Sequence, residues 1–197
     1  APLSLRMTLT QHKIDEYTRV PPTTFCRPSI TDKARTITHV CASGTLCTNA
    51  AIEEVEGFPF GSYVDFITDE KGNPIMLLSD QSVHTNNIKH NPSVSLFCQL
   101  PRQVSNQASA ALSRVTVMGK IGPVPTEEIA ALQMAFALIH PYAEQILDSP
   151  KFRLFRLKPK KIYFSGGFGV MATWVNVEEY EQARADVLAA EVPSVLS

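Results

Sequence analysis

Short extended runs closed by turn residues fill most of this chain between Ser43 and Ser165, and that pattern limits the fold more than any other feature. The runs are Ser43 to Thr48, Phe60 to Ile67, Pro74 to Leu78, Ser93 to Gln99, Arg114 to Ile121, Arg153 to Leu157 and Lys161 to Ser165. Glu70-Lys71-Gly72-Asn73 joins two of them as a hairpin, because Gly and Asn accept the positive φ of a tight turn. Six or seven short strands, mostly joined by hairpin-like links with helices inserted, predict a predominantly β protein of the α+β kind, an antiparallel barrel with peripheral helices. The strands are apolar on both faces. Val94, Leu96 and Cys98 oppose Phe97, and Val115, Val117 and Ile121 oppose Met118. The outer face is therefore expected to lie under helices or a second subunit, which makes a homodimer the expected assembly.

Helical spacing appears in four places. Ile30, Ala34, Ile37 and Val40-Cys41 predict a helix over about 31 to 42, capped by Thr31 or Ser29. The polar stretch Ser79 to Ile88, stopped at Asn91-Pro92, predicts a short one. Thr126 with Glu127 and Glu128 opens a third, with Ile129, Leu132, Phe136 and Ile139 as its apolar stripe and His140-Pro141 as its end. Asn176-Val177-Glu178-Glu179 has capping-box spacing and predicts a last helix through about Ala190. Residues 1 to 28 hold four of the 14 prolines and read as an extended N-terminal arm, 29 to 190 as the barrel domain, and 191 to 197 as a C-terminal tail. The loop from Pro101 to Ser113, rich in Ser, Ala, Asn and Gln, reads as mobile.

Charge narrows the partners. Eighteen Lys and Arg against 19 Asp and Glu leave a net charge of -1, which offers no global field for nucleic acid. No apolar run reaches the ~18 residues of a membrane span, so no membrane insertion is expected. Cys26, Cys41, Cys47 and Cys98 are sparse and irregularly spaced, and no usable glycosylation sequon occurs, which together point to a soluble protein of a reducing compartment.

The chemistry concentrates in Ser79 to Lys89. Hydroxyls at Ser79, Ser82 and Thr85 and the imidazole of His84 stand at the start of a helix, where free N–H groups and the helix dipole favour an anion such as a phosphate. The competing reading is that Ser79, Asp80 and Ser82 only cap that helix. Ser62, polar within an apolar strand, either faces the same site or satisfies a neighbouring backbone group. No metal site is expected, since His39 and Cys41 cannot share a metal on one helix face and Cys41 and Cys47 lack zinc-site spacing. Glu53, Glu54, Glu56, Asp65 and Asp69 fix no acid–base pair by spacing. Gly166-Gly167-Phe168-Gly169 follows a strand without opening a helix, so it reads as a turn or bulge rather than a phosphate loop.

Gly57-Phe58-Pro59-Phe60-Gly61-Ser62-Tyr63-Val64-Asp65-Phe66, then Gly72-Asn73-Pro74, Leu78-Ser79, His84 to Ile88, Asn91 to Leu96, Val115 to Gly119 and Tyr163 to Gly169 resemble, in order and spacing, the pyridoxamine 5'-phosphate oxidase-like FMN-binding split-barrel superfamily. The similarity is greatest to the branch of the bacterial haem-degrading HugZ proteins and their plant plastid homologues. It runs from about Ser29 to Tyr180. The resemblance implies a homodimer of six-stranded antiparallel split β-barrels with cofactor sites at the interface, and it puts the phosphate-binding positions on Ser62, Ser79, Ser82, His84 and Thr85. It also implies a plastid or cytoplasmic location, with any transit peptide outside this sequence. The Arg-Lys pair at Val83-His84-Thr85 and the C-terminal Arg-x-Ser/Ala-Pro-like ending by which true pyridoxamine phosphate oxidases resemble one another are not found in this sequence, so vitamin B6 oxidation is not expected. What remains is an FMN-binding, oxidoreductase-like protein as the first expectation. The alternatives are a HugZ-like haem-binding or haem-degrading protein, whose iron ligand here would be His84 or His140, and a cofactor-free module that binds a protein partner in tetrapyrrole metabolism. Secreted relatives of the CREG type share the barrel without flavin chemistry.

Overall fold

A computed structural model describes residues 28–100 and 112–185. The arm over 1 to 28 apart from its last residue, the loop from Pro101 to Ala111 and the tail after Ala185 lie outside the described residues. The first helix, α1, is Ile30–Val40, and Ser29 is its cap: the Ser29 hydroxyl accepts the Asp32 N–H at 3.0 Å, and Asp32 accepts the Ser29 N–H at 3.1 Å. It ends where Cys41 turns extended.

Then follow β1 (Ser43–Asn49), β2 (Pro59–Thr68), β3 (Pro74–Ser79), α2 (Val83–His90), β4 (Ser93–Gln99), β5 (Arg114–Pro123), α3 (Ile129–Ile139), β6 (Phe152–Gly166), β7 (Met171–Val175) and α4 (Val177–Gln182). All pairings are antiparallel, in the order β3-β2-β1-β4-β5-β6-β7, and β3 also pairs with β6. That last pairing closes six strands into a barrel and leaves β7 outside on β6. The β2–β3 turn is held as expected at Asp69 to Asn73, with the Asp69 carboxylate accepting the N–H groups of Lys71 and Asn73 and Gly72 at φ 80°.

Four expectations need correction. Arg153 to Leu157 and Lys161 to Ser165 are one strand of 15 residues. The Pro159 between them does not break it, because the register slips at Met118/Gly119: Gly119 faces Pro159 and Met118 faces Lys161, so Lys160 bulges out. The slip also needs Gly119 itself, since a Cβ there would stand 1.9 Å from the Lys158 carbonyl oxygen. Strand β7 is new; Gly167, Phe168 and Gly169 all take positive φ and reverse the chain into it, which makes the Gly-Gly-Phe-Gly segment the expected turn. The last helix stops at Gln182, where Ala183 turns extended, rather than running to Ala190. In α3, Phe136 is fully buried while Ile139 is 58% exposed, so the apolar stripe ends a turn earlier than its spacing suggests.

The barrel interior holds Leu46, Phe66, Met76, Leu96, Val117 and Leu157, and α1 adds Ala34 and Ile37. A second cluster, Ile67, Ile75, Val124, Phe136 and Leu154, lies under α3 on the outside of β2, β3 and β6. Helix α3 thus accounts for part of the outer apolar face. Fully burying one such side chain contributes roughly 1.5–3 kcal/mol, so both layers matter to stability.

Candidate functional site

The barrel has a gap where β2 and β3 part. They pair only at Phe66–Thr68 with Pro74–Met76; beyond that, β3 follows β6 from Ile75 to Ser79 while β2 stays on β1. The start of α2 fills the gap. Ser82 is its cap, and the expected contest between capping and ligand binding is visible in the contacts. The Ser82 hydroxyl donates to the Ser79 carbonyl at 2.8 Å, lies 2.8 Å from the Thr85 hydroxyl and accepts the Thr85 N–H at 3.4 Å. Thr85 is fully buried, so its hydroxyl serves the helix turn and is not at the surface.

His84 points across the gap to β2. Its Nδ1 is 3.0 Å from the Ser62 hydroxyl, which in turn lies 3.4 Å from the Leu46 carbonyl oxygen. Where Ser62 donates to that carbonyl it accepts from Nδ1–H, and in that tautomer the Nε2 lone pair is free. Burial pushes the His84 pKa below its ordinary value, so the ring is neutral at pH 7. Ser79, Ser82 and His84 thus line one cleft of about 230 Å³, and Ser62 stands behind them on His84.

The opposite wall carries Tyr63, Asp65 and Tyr142. Both phenols donate to the Asp65 carboxylate at 2.6 Å. Hydrogen bonding to Asp65 raises the pKa of Tyr63, and burial followed by Asp65 raises that of Tyr142, so both stay protonated. Asp65 showed no partner by spacing, and Tyr142 gave no sequence signal at all; only the return of the chain after α3 brings it to β2. His140 is buried, donates from Nε2 to the Phe66 carbonyl at 3.0 Å and stacks on Phe136 with ring centroids 4.7 Å apart. It anchors the end of α3 beside the cleft.

Sequence reasoning also missed Asn87. Fully buried, it accepts the Ala51 N–H at 3.0 Å and donates to the Thr48 hydroxyl at 2.9 Å, which fixes α2 against β1 and so fixes His84. Ser79 to Asn87 contains no Lys or Arg. Arg153, from the neighbouring strand, is paired with Asp80 at 2.6 Å. A phosphate here would meet hydroxyls already committed to capping, so the residues present do not fit the FMN phosphate well. Among the described residues no cluster of His, Cys, Asp and Glu suits a metal ion, and no helix is long and apolar enough to cross a membrane.

A closed six-stranded antiparallel barrel with a helix start wedged between two parted strands defines a split-barrel protein. Residues 28–182 match the family model described as CREG, beta-barrel. The chain belongs to the CREG β-barrel family. It is 30% identical over 174 residues to the chloroplastic heme oxygenase HOZ of Arabidopsis thaliana, covering 87% of this chain and 52% of that protein. It is similar, at 30% identity and a TM-score of 0.72, to the solved heme binding protein of Mycobacterium smegmatis, covering 81% of this chain and 63% of that one. The chain therefore spans about half to two thirds of these relatives. A putative pyridoxamine 5'-phosphate oxidase of Listeria innocua, 19% identical with a TM-score of 0.53 over 69% of this chain and 98% of its own, shares the fold. The split-barrel superfamily and its HugZ-like branch, expected from sequence, are thereby supported.

Proposed function

We propose that this protein binds haem in the split between β2 and β3, with His84 as the iron ligand. The arrangement of His84 carries the reading. A neutral imidazole with Nδ1 engaged by Ser62 and Nε2 free on a cleft is the form in which histidine ligates a metal. His140 has its Nε2 engaged by the Phe66 carbonyl, which makes His84 the better candidate of the two. The names of the chloroplast and mycobacterial relatives agree with haem as the ligand. Bound haem would supply iron redox chemistry. The chain itself would supply the ligand, its orientation through Ser62, and a wall of two protonated phenols at Tyr63 and Tyr142.

At about 230 Å³ the cleft is too small to enclose a macrocycle by itself, so a second copy would have to complete the site. A homodimer with the site at its interface is part of the proposal. The chloroplast relative supports a plastid location for this chain as well.

Haemin titration of the purified protein tests the reading. A Soret band saturating at one equivalent per protomer in the His84 site, its ligation signature lost in His84→Ala and regained with added imidazole, is the expected result. Equal ligation spectra in wild type and variant would overturn it. A parallel titration with FMN, followed by gel filtration, reads the flavin alternative. Retention of neither cofactor would leave the barrel as a partner-binding module.

A further inference from the structure

We propose that the free edge of β7 takes an eighth strand from this chain's own N-terminal arm, the run Leu3 to Thr10. Strand β7 is the last of the sheet and pairs on one side only, with Ile162 to Gly166 of β6. Among the described residues no backbone hydrogen bond reaches its other side. An unpaired edge is a template for a further strand, and native sheets blunt such an edge with charge or proline, or cover it. Nothing blunts this one, since Met171-Ala172-Thr173-Trp174-Val175 contains neither a charged residue nor a proline. Apolar surface also surrounds it: Phe168, Val170 and Trp174 are 67%, 87% and 54% exposed.

The sequence supplies the occupant. Leu3, Leu5, Met7 and Leu9 alternate with Ser4, Arg6, Thr8 and Thr10, which is the period of a strand with one apolar face. The arm's prolines stand outside that run, at Pro2, Pro21, Pro22 and Pro28, so every residue from 3 to 20 keeps its N–H for a ladder. The arm also joins the fold beside β7. It leads into α1 at Ser29, the Thr31 hydroxyl donates to the Glu179 carboxylate of α4 at 3.5 Å, and α4 begins two residues after β7 ends. Seventeen residues separate Thr10 from Pro28, which extended reach up to about 60 Å, so the tether does not limit the pairing. Held on such a tether, the run is present at roughly millimolar effective concentration, which favours it over a strand from another chain. Charge agrees, because four Lys and Arg against two acids over residues 1 to 28 face the exposed Glu178 and Glu179 of α4. Backbone hydrogen bonds to β7 supply the affinity, and the leucines cover the apolar surface at its edge.

The edge shares no residue with the cleft at His84, and the pairing does not rest on the haem reading. Hydrogen–deuterium exchange at the backbone amides of Met171–Val175 tests it in the full chain. Two full-length variants serve as comparison. L5D/M7D removes the apolar face of the run, and R6P/M7P removes two successive N–H groups, one of which points to β7 in any register. Alternate β7 amides should exchange at least tenfold more slowly in wild type than in either variant, while β4 exchanges equally in all three and reports an intact barrel. A synthetic peptide of residues 1 to 12, added in excess, should restore the protection. Equal β7 exchange in wild type and both variants would overturn the proposal. So would protection of β7 in isotope-labelled R6P/M7P chains on mixing with an equal amount of wild type, because the strand would then come from a second copy.

Discussion

At the scale of single residues, the candidate site depends on how one imidazole is buried. Half-buried His84 has its pKa lowered from 6.5 by desolvation. In the unfolded chain the ring binds a proton first as pH falls, so the folded state loses stability from the ordinary value down to the lowered one, and that contribution is fully present above 6.5. The same shift protects ligation. Haemin affinity should stay level from pH 8 to pH 7 and fall only below the ordinary histidine range, later than for an exposed histidine; a fall beginning above pH 7 would contradict the assigned environment. Ser62→Ala removes the group that orients Nδ1, and is expected to weaken haemin binding severalfold while moving that pH profile, which a purely structural role for Ser62 would leave in place. Much of this constellation was legible: Ser62, Ser79, Ser82 and His84 do gather at one helix start. Thr85 shows the limit, since a hydroxyl one residue beyond His84 rotates fully into the protein. Residue type and spacing gave no indication of Tyr142, because a contact between positions 65 and 142 is made by the fold and not by the local chain.

At the scale of elements, α2 is too short to be stable alone, and Ile88 is its one apolar residue in the core, Val83 being 44% exposed. Beside Ile88, its position comes from Asn87, whose side chain accepts the Ala51 N–H and holds the Thr48 hydroxyl. Asn87→Leu would leave both groups buried without that partner at a cost of about 2–4 kcal/mol. A lowered urea midpoint together with weakened haemin binding is the expected outcome, and an unchanged midpoint would remove Asn87 from the argument. The long strand β6 makes a related point. Its proline reads as a break in sequence, yet a one-residue slip against Gly119 lets the ladder continue, and the slip places two lysines on one face. The hairpin at Asp69 to Asn73 was legible because its carboxylate and glycine act locally. Strand β7 was not, since Met171 to Val175 becomes a strand only by pairing with β6.

At the scale of the whole molecule, the registers align Tyr63, Thr45, Phe97, Thr116, Tyr163 and Trp174 in one row across β2, β1, β4, β5, β6 and β7. Four of the six are aromatic, Tyr63 is 71% exposed and Trp174 54%. An aromatic row on an open sheet face is the kind of surface that a second copy covers. Multi-angle light scattering should give a dimer at micromolar concentration, and Y63E/W174E should shift it to monomer without changing its circular dichroism; a wild-type monomer would sink the interface. The sequence by itself determined the elements whose signals are local: the alternating strands, the capped helices, the Asp69 turn and the cluster of hydroxyls before His84. It also determined the apolar content on both strand faces, from which covered outer surfaces follow. Only the tertiary structure decided the parting of β2 and β3, the bulge in β6, the burial of Thr85 and the meeting of Tyr142 with Asp65. These depend on which strand finds which partner and in what register, and that choice is set by packing between residues far apart in the chain.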